Sequence, residues 1–228
     1  MPPPCAASTV ILNPDTGSYL NAGSYLLFPP ADPKLSIGCS IWSPDGKLLA
    51  CEATEDTDPN RNGMYAIRTS DGGGLTRLTS KPGGDDIPIA YSPNGMQIVF
   101  GRTDPTLGSV PNQALFLVNS DGSGPRRITP WGYSDDDGSW SPDGSAILFE
   151  YQGSLYTVHP DGTGLKRILH NGFDADWSPD GTKIVFSRVP QPGSRVASIY
   201  TANANGSGVH AVTTSPSRDD KADWGLAL

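Results

Sequence analysis

Short apolar runs of four or five residues recur along the chain. Four of them each follow a glycine: Lys47-Leu-Leu-Ala-Cys51, Gln97-Ile-Val-Phe100, Ala146-Ile-Leu-Phe149 and Lys183-Ile-Val-Phe186. Runs this short, rich in branched and aromatic residues and bounded by turn formers, predict strands rather than helices. A second strand is predicted after each run. It ends in Ser-Asp-Gly72, Ser-Asp-Gly122, Pro-Asp-Gly162 or Ala-Asn-Gly206. A third, shorter strand then covers Thr76-Arg-Leu-Thr79, Arg126-Arg-Ile-Thr129, Lys166-Arg-Ile-Leu169 and His210-Ala-Val-Thr213.

The turns carry the repeat. Trp42, Tyr91, Trp140 and Trp177 are each followed by Ser-Pro-Asp/Asn-Gly, and Asp223-Trp224-Gly225 opens a fifth copy. Proline presets φ at the first turn corner, Asp or Asn suits the second, and glycine supplies the positive φ. Each tetrapeptide is therefore a predicted hairpin. The aromatic residues are spaced 49, 49, 37 and 47 apart. Adding the strand that carries the aromatic gives four antiparallel strands per unit, the size of one propeller blade.

The fold expected is all-β: a single β-propeller domain over residues 1–228, with five blades of four antiparallel strands. Blade repeats fall at roughly 37–80, 87–130, 137–170 and 174–214. A closing blade would join 221–228 to 5–29. Part of a six-bladed propeller is the alternative if the first 41 residues supply fewer strands.

Composition agrees and adds one oddity. Gly 27 and Pro 22 argue against a helical bundle. Of 24 acidic residues only Glu52, Glu55 and Glu150 are glutamate. The net charge of -8 disfavours nucleic acid and anionic membranes as partners. No apolar run is long enough to span a bilayer, and Met1–Ala7 has neither the basic nor the apolar region of a signal peptide. A hairpin pairing Trp42 with Leu48 would set Cys39 opposite Cys51. A cross-strand disulfide and two buried thiols both fit that placement, and Cys5 is left over.

Aromatic-Ser-Pro-Asp-Gly, Lys-Ile-Val-Phe, Asp-Gly-Xaa-Gly and Arg-Arg-Ile-Thr together resemble the WD40-like (PD40) repeats of TolB-type β-propellers, over roughly Ile37 to Gly225. The resemblance implies a periplasmic or secreted protein. It spans protein-binding propellers, propellers that gate peptidases, and propeller lyases, so it fixes the repeat and not the activity. The family is usually described with six blades and a separate α/β domain, from which five blades alone would be a departure.

In such a meander Asp45, Asp143, Asp180, Asp71, Asp121 and Asp161 are turn formers on one face. Ten more aspartates precede the central strands: Asp85, Asp86, Asp135, Asp136, Asp137, Asp174, Asp176, Asp219, Asp220 and Asp223. Radial symmetry would bring them to the rim of one channel, where clustered carboxylates call for a cation, basic groups from a partner, or raised pKa values. The alternative is that they cap loops. Asp86, Asp135, Asp137, Asp174 and Asp220 are the candidate metal ligands at the channel mouth. Asp176 and Asp223, each preceding a tryptophan, suit a structural role. Asp58-Pro-Asn60-Arg-Asn62-Gly63 matches the first half of a calcium loop, but position twelve is Thr69, so Asp58, Asn60 and Asn62 suit an Asn/Gly-rich turn as well. No cofactor is required, and Ca²⁺ is the candidate cation.

Common hydrolase and NTPase signatures are absent from the sequence. The arginines and lysines of the outer strands, Arg77, Arg126, Arg127, Lys166 and Arg167, are expected to guard sheet edges. The function expected is a non-catalytic, monomeric binding propeller that offers long loops and an acidic channel to a protein, peptide or cation. A metal-dependent hydrolase or lyase is the alternative, and a structural scaffold or propeller fragment the second.

Overall fold

The computed structural model describes residues 34–108, 113–133, 137–189, 196–214 and 219–224. They form four antiparallel four-stranded sheets, each a simple meander. The first holds β1 (Ser36–Trp42), β2 (Leu48–Thr54), β3 (Gly63–Arg68) and β4 (Thr76–Arg77). The second holds β5 (Asp86–Tyr91), β6 (Gln97–Thr103), β7 (Gln113–Asn119) and β8 (Arg126–Arg127). The third holds β9 (Gly138–Trp140), β10 (Ile147–Tyr151), β11 (Ser154–Val158) and β12 (Lys166–His170). The fourth holds β13 (Phe173–Trp177), β14 (Lys183–Arg188), β15 (Ser198–Asn203) and β16 (His210–Ala211). Each sheet holds one Ser-Pro-Asp/Asn-Gly turn between its first two strands. The expected closing unit at 5–29 and the chain beyond Trp224 lie outside the described residues.

The Ser-Pro-Asp-Gly turns explain why strand one reverses where it does. Ser43 Oγ donates to Asp45 Oδ1 at 2.7 Å, Lys47 N donates to the same oxygen at 3.1 Å, and Leu48 N donates to Ser43 Oγ at 2.9 Å. The pattern returns at Ser178, where Oγ donates to Asp180 Oδ1 at 2.6 Å and Lys183 N to Ser178 Oγ at 2.9 Å. Hydrogen bonds to the ionised form hold Asp45 and Asp180 down at about 2, the neighbouring serine hydroxyl being the largest cause in each case. The turn aspartates are thus fully engaged in local structure.

Register shows a feature that spacing alone does not give. Trp42 pairs with Leu49, not Leu48, and a bulge between Cys39 and Ile41 then restores Cys39 to a position opposite Cys51. The two are joined in a disulfide. The same shift lies between Pro88 and Ala90 in β5 and between Phe173 and Asp176 in β13. One extra residue on the first strand bends it and re-aims its side chains.

The sheets pack face against face. Three of the four apolar clusters join neighbouring sheets: Ala50, Met64 and Leu78 with Tyr91, Ile98 and Phe100; Ile89, Val99 and Leu115 with Trp140, Ile147 and Phe149; Leu148, Leu155 and Leu169 with Trp177, Ile184 and Phe186. Phe100, Phe149 and Phe186 occupy one repeat position and are fully buried, each stabilising by ~2–3 kcal/mol. The first strands lie in succession, β1 against β5, β5 against β9 and β9 against β13, consistent with radial packing. Tyr91, Trp140 and Trp177 are covered by the preceding sheet, while Trp42 is 47% exposed.

Two devices tie sheet to sheet. Gly122, at φ +86°, brings the second sheet's outer turn onto Leu78 of the first, where a Cβ would stand 2.7 Å from the Leu78 carbonyl oxygen. Gly206 repeats the contact against Ile168. Across the first interface, Asp86 is fully buried and takes Arg102 Nε at 2.6 Å on Oδ1, with Nη2 at 2.7 Å and Thr79 Oγ1 at 2.5 Å on Oδ2.

Candidate functional site

Each first strand begins at the end of its sheet that bears the longer loops and finishes at the Ser-Pro-Asp-Gly turn. Counting back from the aromatic residue therefore moves toward the loop end. The positions three, two and one before it are Asp137, Gly138 and Ser139 in the third unit, Asp174, Ala175 and Asp176 in the fourth, and Lys221, Ala222 and Asp223 ahead of Trp224. All but Asp223 line one cavity of about 310 Å³. Three consecutive repeats thus deliver equivalent residues to a common space.

Segment 219–224 reproduces the start of β13. Lys221 has φ +57° where Asp174 has φ +47°. Trp224 N donates to Asp223 Oδ1 at 2.6 Å, as Trp177 N donates to Asp176 Oδ1 at 2.8 Å. Asp219 N donates to Ala197 O at 2.9 Å and Lys221 N to Ser187 Oγ at 3.2 Å, which anchors the segment to the fourth sheet.

The electrostatics of the cavity are uneven. Burial pushes the Asp176 carboxyl above the usual carboxylate range, and hydrogen bonding with the Asp223 carboxyl pushes it the same way. The Ser139 hydroxyl and the Trp177 N–H offset part of that rise. Ser139 Oγ is itself buried without a well-formed hydrogen bond, as are Trp177 Nε1 and Trp224 Nε1. Trp140 Nε1, one unit earlier, donates to Ala90 O at 3.3 Å. The one other buried side-chain polar atom of this kind among the described residues is Tyr91 Oη.

The equivalent positions in the first two units are different in kind. They hold Cys39 and Ile41 in β1, and Pro88 and Ala90 in β5. Cys39 is tied up in the disulfide, and Pro88 O accepts from Ser40 Oγ at 3.2 Å across the interface. Charge is confined to the third, fourth and following units.

The structure brings together Asp137 and Asp174 among the expected channel residues. Asp86 stands apart, its two oxygens committed to Arg102 and Thr79. Asp220 lies in the 219–224 segment and is not part of the cavity wall. Asp135 lies outside the described residues. Asp58 caps a short 3₁₀ turn, Pro59–Arg61, by accepting from Asn60 N at 3.2 Å and Asn60 Nδ2 at 3.1 Å. Asn62 Oδ1 accepts from Glu55 N at 2.8 Å, and Arg61 pairs with Glu55 at 2.6 Å. Among the described residues no three His, Cys, Asp or Glu side chains are grouped to hold a metal ion. Asp176, one of the ten aspartates expected at the rim but suited there to a structural role, joins the site, as do Ser139 and Lys221, which spacing does not single out. Aligning the units on their aromatic residues would have found all three.

No family model matches the chain. One stretch of 87 residues, 35% of the chain, is 33% identical to dipeptidyl-peptidase 5 of Porphyromonas endodontalis and spans 12% of that enzyme. Among solved structures, a TolB from Agrobacterium tumefaciens matches with TM-score 0.61 and 22% identity, over 77% of this chain and 65% of that one. An oligogalacturonate lyase in complex with manganese matches with TM-score 0.60 and 14% identity, over 89% of this chain and 58% of that one. The chain therefore spans less than two thirds of each of these proteins. The fold is TolB-like and all-β, and it is shared with an oligogalacturonate lyase.

Proposed function

We propose that the chain is a non-catalytic binding β-propeller of five blades, closed by residues 221–228 with 5–29, which presents its loop end and acidic cavity to a protein or peptide. The observation that carries this reading is the convergence of Asp137, Asp174 and Asp176 from consecutive repeats on one cavity. Carboxylates held on a rigid scaffold without a paired nucleophile and base suit recognition of positive charge better than bond cleavage. The disulfide between Cys39 and Cys51 supports an oxidising compartment, periplasmic or extracellular, and a monomer is the working state.

The test is a library of short peptides passed over the immobilised chain. Basic sequences should be retained, their binding should weaken steeply as ionic strength rises, and the Asp137→Asn/Asp174→Asn double variant should lose them. Salt-insensitive binding, or binding that survives the double variant, would remove the cavity from the account. Retention that needs added Ca²⁺ or Mn²⁺ would favour the metal-dependent alternative.

A further inference from the structure

Resting on the closed five-blade reading, we infer that Asn21-Ala22-Gly23-Ser24 is the outer turn of the closing sheet and seats on Val212 of the fourth unit. Three turns set the precedent. Gly122, Gly162 and Gly206, at φ +86°, +86° and +83°, each rest on the outer strand of the preceding unit, at Leu78, Ile128 and Ile168. A Cβ at Gly122 would stand 2.7 Å from Leu78 O and one at Gly162 3.3 Å from Ile128 O, while one at Gly206 would collide with Ile168 O. Glycine permits this approach because it has no Cβ. Leu78 and Ile128 are buried under their turns, whereas Val212, at the same place in the fourth unit, is 60% exposed. Its strand is not irregular. Val212 N donates to Ile199 O at 2.8 Å, as Leu78 N does to Met64 O. Thr213 Oγ1 accepts from Ile199 N at 3.0 Å, as Thr79 Oγ1 does from Met64 N at 2.9 Å. What Val212 lacks is a following turn among the described residues.

The first sheet shows the complementary gap. Leu35, Ile37, Leu49, Ala53, Tyr65 and Ile67 are buried, yet their cluster holds no residue of another described sheet, while each of the other three clusters joins two sheets. Gly72, the first unit's own turn glycine at φ +65°, is buried as well. One further sheet between the fourth unit and the first covers Val212 with its turn, shuts the apolar face and passes beneath Gly72, as stacked repeats require. Of the stretches outside the described residues only 1–33 has the length for three strands, the others running to six residues at most. Within it, Asn21-Ala22-Gly23-Ser24 carries the residues of the described turns. Asn119 Nδ2 donates to Ser123 Oγ at 2.9 Å and Asn203 Nδ2 to Ser207 Oγ at 3.0 Å, with a glycine just before each serine. Asn21 and Ser24 bracket Gly23 in the same order, one residue closer together. Ser24-Tyr-Leu-Leu-Phe28 follows as the outer strand, and residues 29–35 lead to β1.

The experiment cross-links the full chain. In a Cys5→Ser background, Ala22→Cys and Val212→Cys are treated with a short bis-maleimide, which takes free thiols and leaves the Cys39–Cys51 bridge intact. A cross-link within one chain should form, read by mass spectrometry, about tenfold faster than in the Ala22→Cys/Leu107→Cys control, whose second thiol is exposed on the second unit. Val212→Asp gives a second readout. It should lower the melting midpoint by several degrees because the valine is covered in the closed ring, whereas Met96→Asp, at an exposed turn position, should leave the midpoint unchanged. Equal cross-linking rates for the two pairs, or a Val212→Asp chain as stable as Met96→Asp, would overturn the inference. A 22–212 cross-link found only between two chains would overturn it too, giving the seat to a second copy. If basic peptides bind in a salt-sensitive way but the cross-link does not form, the seat fails while the binding reading stands. If the cross-link forms and no basic peptide binds, the seat stands and the binding reading fails.

Discussion

Replacing Asp86 with Asn tests what holds the first two sheets together. Both carboxylate oxygens are used: Oδ1 takes Arg102 Nε at 2.6 Å, and Oδ2 takes Arg102 Nη2 at 2.7 Å and Thr79 Oγ1 at 2.5 Å. Asp86 is fully buried, and the Arg102 side chain is 15% exposed with its guanidinium 4.9 Å from the Phe116 ring centre. Thr79 Oγ1 in turn accepts from Met64 N at 2.9 Å, so the network reaches the backbone of β3. Neutralising the carboxylate strands a buried guanidinium. Breaking one side of such a pair costs about 3–5 kcal/mol. Against a total stability of ~5–15 kcal/mol that is severe. At 2–4 °C per kcal/mol for a protein of this size, the melting midpoint should fall by roughly 6–20 °C. Urea denaturation followed by circular dichroism measures the same loss at 25 °C. The Asp86→Leu/Arg102→Met double variant removes both charges at once and should recover most of the loss. Ca²⁺ should shift the midpoint of neither protein. A cost below about 1 kcal/mol for Asp86→Asn, or a double variant as unstable as the single one, would refute the argument that the buried charge dominates.

Three further outcomes follow from other parts of the molecule. Asp176 has a folded-state pKa raised by burial and by Asp223, among the surrounding Asp137, Asp174, Ser139 and Lys221; its stabilising contribution is full below its unfolded pKa and lost as pH rises through the folded one, so Asp176→Asn should flatten that part of the stability–pH curve. Gly206→Ala combines φ +83° with a collision against the Ile168 carbonyl and should cost about 1–3 kcal/mol in urea denaturation, whereas a Gly83→Ala control, with open space around it, should cost less. Reducing the Cys39–Cys51 bridge, which closes a 12-residue separation, should lower stability by about 3 kcal/mol, seen as a drop in melting temperature on adding thiol that a Cys39→Ala/Cys51→Ala variant no longer shows.

The repeat was legible because its chemistry is local. A turn that needs Pro, Asp and Gly at fixed corners writes itself into the sequence, and the strands on either side follow from apolar runs of the right length. The register was not legible, because the bulge that moves Trp42 from Leu48 to Leu49 has no residue signature of its own. The role of Asp86 was hidden for another reason. Its partner Arg102 is 16 residues away on the next strand, and only the pairing of Asp86 with Arg102 across β5 and β6 aligns them. Arg188 shows the converse. It stacks on Phe186 and Tyr200 at 5.3 and 5.4 Å as Arg102 does on Phe100 and Phe116, yet no aspartate holds the matching place. Its guanidinium donates to the His170 and Asn171 carbonyls instead.

The surplus of aspartate over glutamate has a local cause in the turns and, at Asp174, a second one. In the turns, a short side chain is required to reach the backbone N–H two residues on, as Asp71 does with Gly73 and Asp161 with Thr163, both at 2.9 Å. At the start of the first strands the demand is positional. Three places before Trp177 and Trp224 the backbone is at positive φ, and Asp accepts that conformation more readily than Glu. Asp174 meets the demand with a negative charge and Lys221 with a positive one, at φ +47° and +57°. Backbone geometry thus explains a short, left-handed-tolerant residue at Asp174 but not lysine at the next repeat, since Lys gains nothing from that φ. Lys221 is then the residue whose identity local structure explains least. Exchanging it for Asn should relieve the backbone and raise stability slightly, while removing the cation that limits how much positive charge the cavity accepts. A Lys221→Asn variant that is no more stable, and binds cationic peptides no more tightly, would show that neither backbone strain nor charge sets this position.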